Sequence, residues 1–576
     1  MEKLPMSTQQ RVSTAGLVAL LSLLVILLGA CGGGNSNTAS ARKAPPSQQV
    51  FIEPERGIQD LSTFDPALTF DVPSETAIQM VFTGLVSLDK NLVVRPQLAS
   101  SWTVSPNGLT WTFHLKPNLK FSDGTPLTSM DVAYSLDRAL QPAQRSSTAP
   151  TYLGLIKDAD RLVKGQIRTI IGDSVLTPDP ETVVILARQK ATYFLNALTY
   201  PCSYVVEKKL IDKYGSKWTD HLQEGGGAGP FKVKEYTHNK RIVFVPNPNY
   251  YGPKPQLQQV IFPFYRDTDT AYKAYQAGQV DFAIVPSQQV ARVRNQPEFH
   301  LIPQLWIRYY GMNYLVKPFD SINMRRAFAL ALNKDELAHA IWKDVPIPTN
   351  HIIPLGMPGY NPNLRGPDNT VSTRGNAQLA RQYFQKGLQD EGLTSASQLP
   401  PITITYPSGN QDQANEIAAA IQMWQNVLGV TVRGEAIDFN KMLDELSNTA
   451  GNPHGLQMWA IGWVADYPDP QDWTTLQFDA GSPYNQVNYG QNNSSDHLQQ
   501  QATQKLLEVA DTLPDSNARL QAYQNAEQQL VNDVAWLPIT QVRNAYVLRP
   551  YVQGFVMNAQ LQVPPDDWSQ VYISVH

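Results

Sequence analysis

Two side chains in this 576-residue sequence sit in surroundings that suggest chemistry rather than packing: Cys31 and Asp466. Cys31 follows Leu28-Gly29-Ala30, which closes an apolar run beginning at Leu17 and preceded by Lys3 and Arg11. A positive start, a short apolar run and small residues before a cut describe a secretory signal. The run falls well short of the roughly twenty residues a membrane span needs. A cysteine directly after such a site has the bacterial lipobox pattern, in which a diacylglycerol is attached to the thiol and the chain is cut just before it. The competing reading is an uncleaved membrane anchor. Asp466 lies in Gly462-Trp463-Val464-Ala465-Asp466-Tyr467-Pro468-Asp469-Pro470. By residue type alone, its carboxylate is a cap for the turn before Pro468.

Catalytic patterns are missing where a secreted hydrolase would show them. The sequence has no Gly-x-Ser-x-Gly elbow and no His-Glu-x-x-His zinc motif. The nine histidines are scattered, with no pair at i,i+4 spacing. Gly225-Gly226-Gly227-Ala228-Gly229 looks superficially like a phosphate loop, but Pro230-Phe231 follows instead of Gly-Lys-Ser/Thr, so it reads as a turn before a strand. Asp466 and Asp469 are the kind of acid pair a glycosidase uses, yet 50 acidic residues supply such pairs by chance. No enzyme activity, metal or cofactor is expected. A net charge of −4 without blocks of like charge gives no nucleic-acid footprint.

The composition, 42% hydrophobic and 17% charged, is that of a globular protein, and the length suggests three or four domains. Only Cys31 and Cys202 are present. With Cys31 lipidated, Cys202 has no partner, so an exported body must hold its fold without disulfides. Residues 31–49, rich in Gly, Ser, Asn, Ala and Pro, read as a flexible tether. Beyond it, strand and helix signals alternate. Leu109, Trp111, Phe113 and Leu115 have the period of a half-buried strand. Thr128 and Asp131 form a capping box, with Val132, Leu136, Ala139 and Leu140 at helical spacing. Phe231-Lys232-Val233 and Arg241 to Val245 read as partner strands. Met324 to Leu332 reads as a helix. Ile417, Ile421, Trp424 and Leu428 form one helical face closed by Gly429, and a strand resumes at Val430. Asp515 is placed to cap a helix carrying Leu520, Tyr523 and Leu530, before a strand from Ala535 to Ile539. The fold class is α/β with mixed sheets.

Four segments resemble the peptide/nickel branch of extracellular solute-binding proteins, family 5. They are Leu98–Trp102 running through Gly108–Phe113 to Phe121–Leu127 and Asp131-Val132; Gly229–Val233 with Asn247–Tyr251; Ile322–Phe328; and Gly462–Pro470. Their order spans nearly the whole mature chain, ending at Val571–Ser574. The closest likeness is to oligopeptide binders. The resemblance implies a two-lobed periplasmic-binding-protein fold of type II, class C, with an interlobe cleft and an extra domain. Lobe I would be discontinuous, over residues 50–82, 204–306 and 537–576; residues 83–203 would be the extra domain and 307–536 lobe II. It implies an exported lipoprotein, expected as a monomer, held at the outer face of the cytoplasmic membrane by its N-terminal lipid only. Its partners would be short peptides and the permease subunits of an ABC importer with cytoplasmic ATPases. Other members of this family take oligosaccharides, nickel complexes, haem or glutathione, and a role in signalling or adhesion is a further alternative.

The resemblance also assigns site residues. An extended peptide would pair with backbone at Val72 on one side and at Gly462, Trp463 and Val464 on the other. Asp466 would meet the ligand's α-ammonium, which is mostly charged near neutrality. Tyr152 and Tyr310 are further cleft candidates. The sequence departs from the family at Asp444-Glu445-Leu446 and Trp459-Ala460-Ile461, which lack the arginines and histidine that some members direct at ligand carboxylates. The cysteine pair that some members carry across the cleft is replaced near Trp306 and Val464.

Overall fold

The computed structural model describes residues 42–514 and 516–576. The signal segment 1–30, Cys31, residues 32–41 of the tether and Asp515 lie outside them. Residues 44–574 with His576 form one compact body; Arg42 and Val575, joined by a 2.8 Å backbone hydrogen bond, belong to a separate small unit.

The body is built on three main sheets. A five-stranded sheet runs in the order Val50–Ile52, Gln259–Tyr265, Arg241–Pro246, Phe231–Thr237, with Glu55–Arg56 also on Gln259–Tyr265. A four-stranded antiparallel sheet orders Ala99–Val104, Thr110–Leu115, Thr182–Leu186 and Val175–Asp179. A seven-stranded mixed sheet orders Phe282–Ile284, Leu537–Leu548, Phe299–Met312, Met458–Val464, Ile402–Pro407 and Val432–Ile437, with Ile347–Pro348 also on Leu537–Leu548. The local signals read from the sequence are realised in these elements. Asp131 Oδ2 accepts the Thr128 N–H at 2.7 Å at the start of helix Ser129–Leu140. Gly429, at φ +70°, ends helix Gln411–Leu428 in a left-handed conformation suited to glycine.

The cores divide the molecule into lobes. Tyr546 and Leu548 pack into the core over the five-stranded sheet, while Leu537 and Ile539, at the other end of the same strand, pack into a different core. Tyr310 and Met312 belong to that second core, and Ile302, earlier on their strand, packs against the first. Two long antiparallel strands, 299–312 and 537–548, thus run from one lobe into the other, with breaks in their register between Pro303 and Ile307 and between Arg308 and Tyr309. A third core surrounds the four-stranded sheet and takes in Tyr467 and Leu476 from the far lobe.

The glycine run Gly225–Gly229 is a packing feature. A Cβ on Gly227 would lie 2.1 Å from the Val81 carbonyl oxygen, and the Gly229 N–H donates to that carbonyl at 2.8 Å. Backbone occupies the space a side chain would need, so the run fits as a turn feeding the Phe231–Thr237 strand. Gly227→Ala is expected to destabilise the protein by about 1–3 kcal/mol through overpacking, read as a lower urea midpoint at unchanged slope.

Candidate functional site

A cavity of about 420 Å³ lies where the lobes meet, a size suited to a small organic ligand. Its walls come from the Glu53–Ile58 segment, the start of helix Val72–Val81, the middle of the 299–312 strand, the turn Pro407–Asn410 and the stretch Ile461–Asp466.

The last wall is a free strand edge. Met458–Val464 pairs along its whole length with 299–312, but on its other side it meets Ile402–Pro407 only through Met458 and Trp459. The Ala465 N–H donates to the Leu305 carbonyl at 2.8 Å. By the alternation of an antiparallel ladder, Trp463 also turns its backbone toward 299–312, and Gly462 and Val464 turn theirs the other way. Gly462 and Val464 therefore present unpaired N–H and C=O groups on the cavity side. Trp463 does not; its backbone is committed to the sheet, and its indole N–H donates to Asp472 Oδ2 at 3.1 Å. Trp306 stands directly opposite Val464 across the ladder.

Asp466 follows this edge and lines the cavity. Its carboxylate accepts from the Tyr152 hydroxyl, and its backbone N–H donates to Asp472 Oδ2 at 3.2 Å. Tyr152 is buried and stacks on Tyr200 at 3.9 Å; the Tyr200 hydroxyl donates to Glu75 Oε1 at 2.7 Å. Asp466 and Glu75 thus both line the cavity, with Asp472 hydrogen-bonded to the Asp466 backbone. Burial, then the Asp472 charge, pushes the Asp466 carboxyl well above its usual range. Burial, then Asp466, does the same to Glu75, and burial does it to Asp472. Among the described residues, none of the three makes an ion pair.

Capping of the following turn falls to Asp469 instead. Its side chain accepts the Gln471 N–H at 3.0 Å at the start of the short helix Pro470–Trp473. It also forms a buried two-pronged pair with Arg519, at 2.9 and 2.6 Å. Asp469 is therefore no free partner for Asp466, and the acid pair a glycosidase would need is absent at these two positions.

Of the other expected site residues, Val72 lines the cavity, and Tyr310 and Tyr152 do not. Val72 opens helix Val72–Val81, because Asp71 caps the helix by accepting the Ser74 N–H at 3.0 Å and Pro73 suits its first turn. It still lines the cavity, with a first-turn amide that has no intrahelical acceptor. Tyr310 is no cleft residue: it is buried in the far-lobe core and its hydroxyl donates to Glu416 Oε1 at 2.8 Å. Tyr152 does not line the cavity either, but stands directly behind Asp466. Glu75, Asp472 and Tyr200 escaped the sequence reading, since only the fold brings them to Asp466.

A cleft between two lobes, joined by long strands and walled by a free strand edge, defines a binding protein of the two-lobed type II fold. The chain belongs to the bacterial extracellular solute-binding proteins, family 5, whose family model matches residues 93–485. It is 26% identical over 94% of its length to the oligopeptide-binding protein OppA of Bacillus subtilis, 96% of which is covered. It is 28% identical over 86% of its length to the periplasmic oligopeptide-binding protein OppA of Salmonella typhimurium, 88% of which is covered. The crystal structure of Haemophilus influenzae OppA in complex with RPPGFSPFR superposes with a TM-score of 0.78 at 24% identity, covering 92% of this chain and 99% of that one. Among the described residues, no helix is long and apolar enough to cross a membrane.

On the Glu53–Ile58 wall of the cavity, burial pushes Glu53 up to about 7; burial, then Glu53, pushes Glu55 up to about 8, and Arg56 opposes both. The folded protein therefore holds protons here that the unfolded chain, with carboxyls near 4.5, has released. This contribution to stability is full below about 4.5 and is lost as pH rises through about 7 to 8. Glu55→Gln removes part of it. The melting temperature of the variant minus that of the wild type is expected to rise between about pH 5 and pH 8.5 in a buffer series.

Proposed function

We propose that this chain is the substrate-binding lipoprotein of an ABC importer for short peptides. In this reading Cys31 carries the lipid, the body stands at the outer face of the cytoplasmic membrane, and the loaded protein docks on permease subunits driven by cytoplasmic ATPases. The division into lobe I, extra domain and lobe II set out above is part of the same proposal.

The observation that carries it is the Asp466 carboxylate, grouped with Glu75 and Asp472 and lacking a counter-charge at the end of a free strand edge. A buried carboxylate without a cation is costly. An α-ammonium seated there supplies the missing charge through short, charge-assisted hydrogen bonds. From that anchor, a peptide can extend along Gly462 and Val464 and take up their free backbone groups as an added strand. Every peptide has the same backbone, so this mode tolerates many sequences. Tyr152 fixes the orientation of the Asp466 carboxylate from behind. Peptide binders of B. subtilis and S. typhimurium among the relatives support the same ligand class.

Asp466→Ala is expected to weaken peptide binding by about 2–5 kcal/mol by titration calorimetry, with the fold checked by melting. Peptides acetylated at the amino end are expected to bind the wild type correspondingly poorly. Equal binding of acetylated and free peptides would reject the ammonium site. Cys31→Ala is expected to release the protein from the membrane fraction and to abolish labelling by a fatty-acid analogue.

A further inference from the structure

Three neighbouring carboxylates without a cation must dispose of their charge. Two tyrosines show how close the acids lie. Tyr152 and Tyr200 stack at 3.9 Å, nearly parallel, and their hydroxyls donate to different carboxylates, Asp466 and Glu75. Asp472 reaches the same place through Oδ2, which accepts the Asp466 N–H at 3.2 Å and the Trp463 indole at 3.1 Å. Its Oδ1 is buried with no partner in the protein. Glu75 and Asp472 are buried and Asp466 is half-buried. Like charges so placed do not all ionise together; the group shares protons and titrates as a unit.

The surrounding groups do not relieve this. Asp71, at the start of the helix that carries Glu75, adds a further acid, committed to Ser62 and Ser74. Tyr152, Tyr200, Tyr467, Tyr484 and Cys202 face the group, and burial pushes each well above its ordinary value, so all stay neutral. The Arg519 guanidinium is taken up by Asp469 at 2.9 and 2.6 Å. An independent group points to a cation from outside. Gln560 lines the cavity and is buried, and its Nε2 donates to the carbonyl of Ala465, one residue before Asp466, at 2.5 Å. Its Oε1 accepts from no group of the protein. An unused acceptor beside unpaired carboxylates suits a guest that only donates, as an ammonium does.

We propose that the empty protein holds protons on Glu75, Asp466 and Asp472, and that a peptide's ammonium expels about one of them to solvent as it is seated. The inference rests on the peptide reading above and adds its regulation by pH. An O–H bond of the group breaks, the proton passes to solvent, and the ammonium keeps its own protons while bonding to the carboxylate left behind. One added positive charge lets the group carry one more negative charge. Burial, and then the neighbouring acids, push all three carboxyls upward, the direction this exchange requires. A second cavity of about 20 Å³, wide enough for a water, is lined by the same Glu75 and Asp466, so the proton has a way off that the peptide does not fill. Capture then weakens as the surroundings acidify, by up to about tenfold per pH unit, because protons refill the site. Ordinary carboxylates, fully ionised above about pH 5.5, give no such dependence.

Tetrapeptides without ionisable side chains are titrated calorimetrically into the purified full chain, after bound ligand is removed by unfolding and refolding. The titration is run in several buffers of different ionisation enthalpy at about pH 6.5, where the α-amine is already charged and takes up almost no proton. The slope of the observed heat against ionisation enthalpy counts the protons exchanged. The wild type is expected to release about one proton per peptide, with an affinity that rises between about pH 5.5 and 7. Glu75→Gln is expected to at least halve the count and to flatten the rise, which a merely structural role would not do. A peptide acetylated at the amino end is expected to bind weakly and release none; release equal to that of the free peptide overturns the inference. Glu53 and Glu55 line the same cavity. A count removed by Glu55→Gln and not by Glu75→Gln would place the protons there and overturn the inference as well. Binding to the wild type without proton release overturns it and leaves the peptide reading standing. Binding of no peptide at all overturns both. Because the count is read on the wild type, the outcome does not depend on any variant folding.

Discussion

The structure turns on a half-buried carboxylate that is given no cation. Asp466 sits among Glu75 and Asp472, and what the protein supplies in return is limited to hydroxyl and amide donors. Such donors hold a carboxyl group in place but do not balance a charge. The alternatives open to the folded, empty protein are to bind protons or to admit a cation from outside. A site with this deficit is prepared for one kind of guest, and the preparation is electrostatic before it is steric.

The scaffold maintains that imbalance by tying down everything around it. Asp469, three residues on, is locked to Arg519, and Tyr467 between them packs into the core of the four-stranded domain at the far side of the cleft. Tyr193 of that domain stacks on Tyr467 at 6.4 Å. The backbone around Asp466 is thus held from both sides of the cleft.

Much of this was legible in the sequence because it is local. Turn residues, capping pairs and strand alternation placed helices and strands correctly around Thr128, Phe231 and Gly429. The Gly462–Asp466 run was found through its resemblance to a known family, not from residue types, which pointed to a simple cap. At Val72 the helix start was readable from Asp71 with Pro73, while its place beside a ligand came only from the resemblance. Trp463 was assigned a backbone role that the parity of the strand denies it, since one residue's shift reverses inward and outward. Glu75 was invisible for a different reason. Tyr200, the hydroxyl partner of Glu75, is 125 residues away, and no local pattern announces a contact of that range.

An unpaired strand edge is ordinarily a hazard, because any other exposed sheet can join it. Here the edge at Gly462 and Val464 opens only into a recess between two lobes. A folded neighbour cannot insert its own sheet there, since its remaining layers would collide with the walls. A lone, unfolded strand can. On the peptide reading proposed above, the recess sorts by foldedness: it turns a surface that would drive self-association into one that admits a chain already released from any structure of its own.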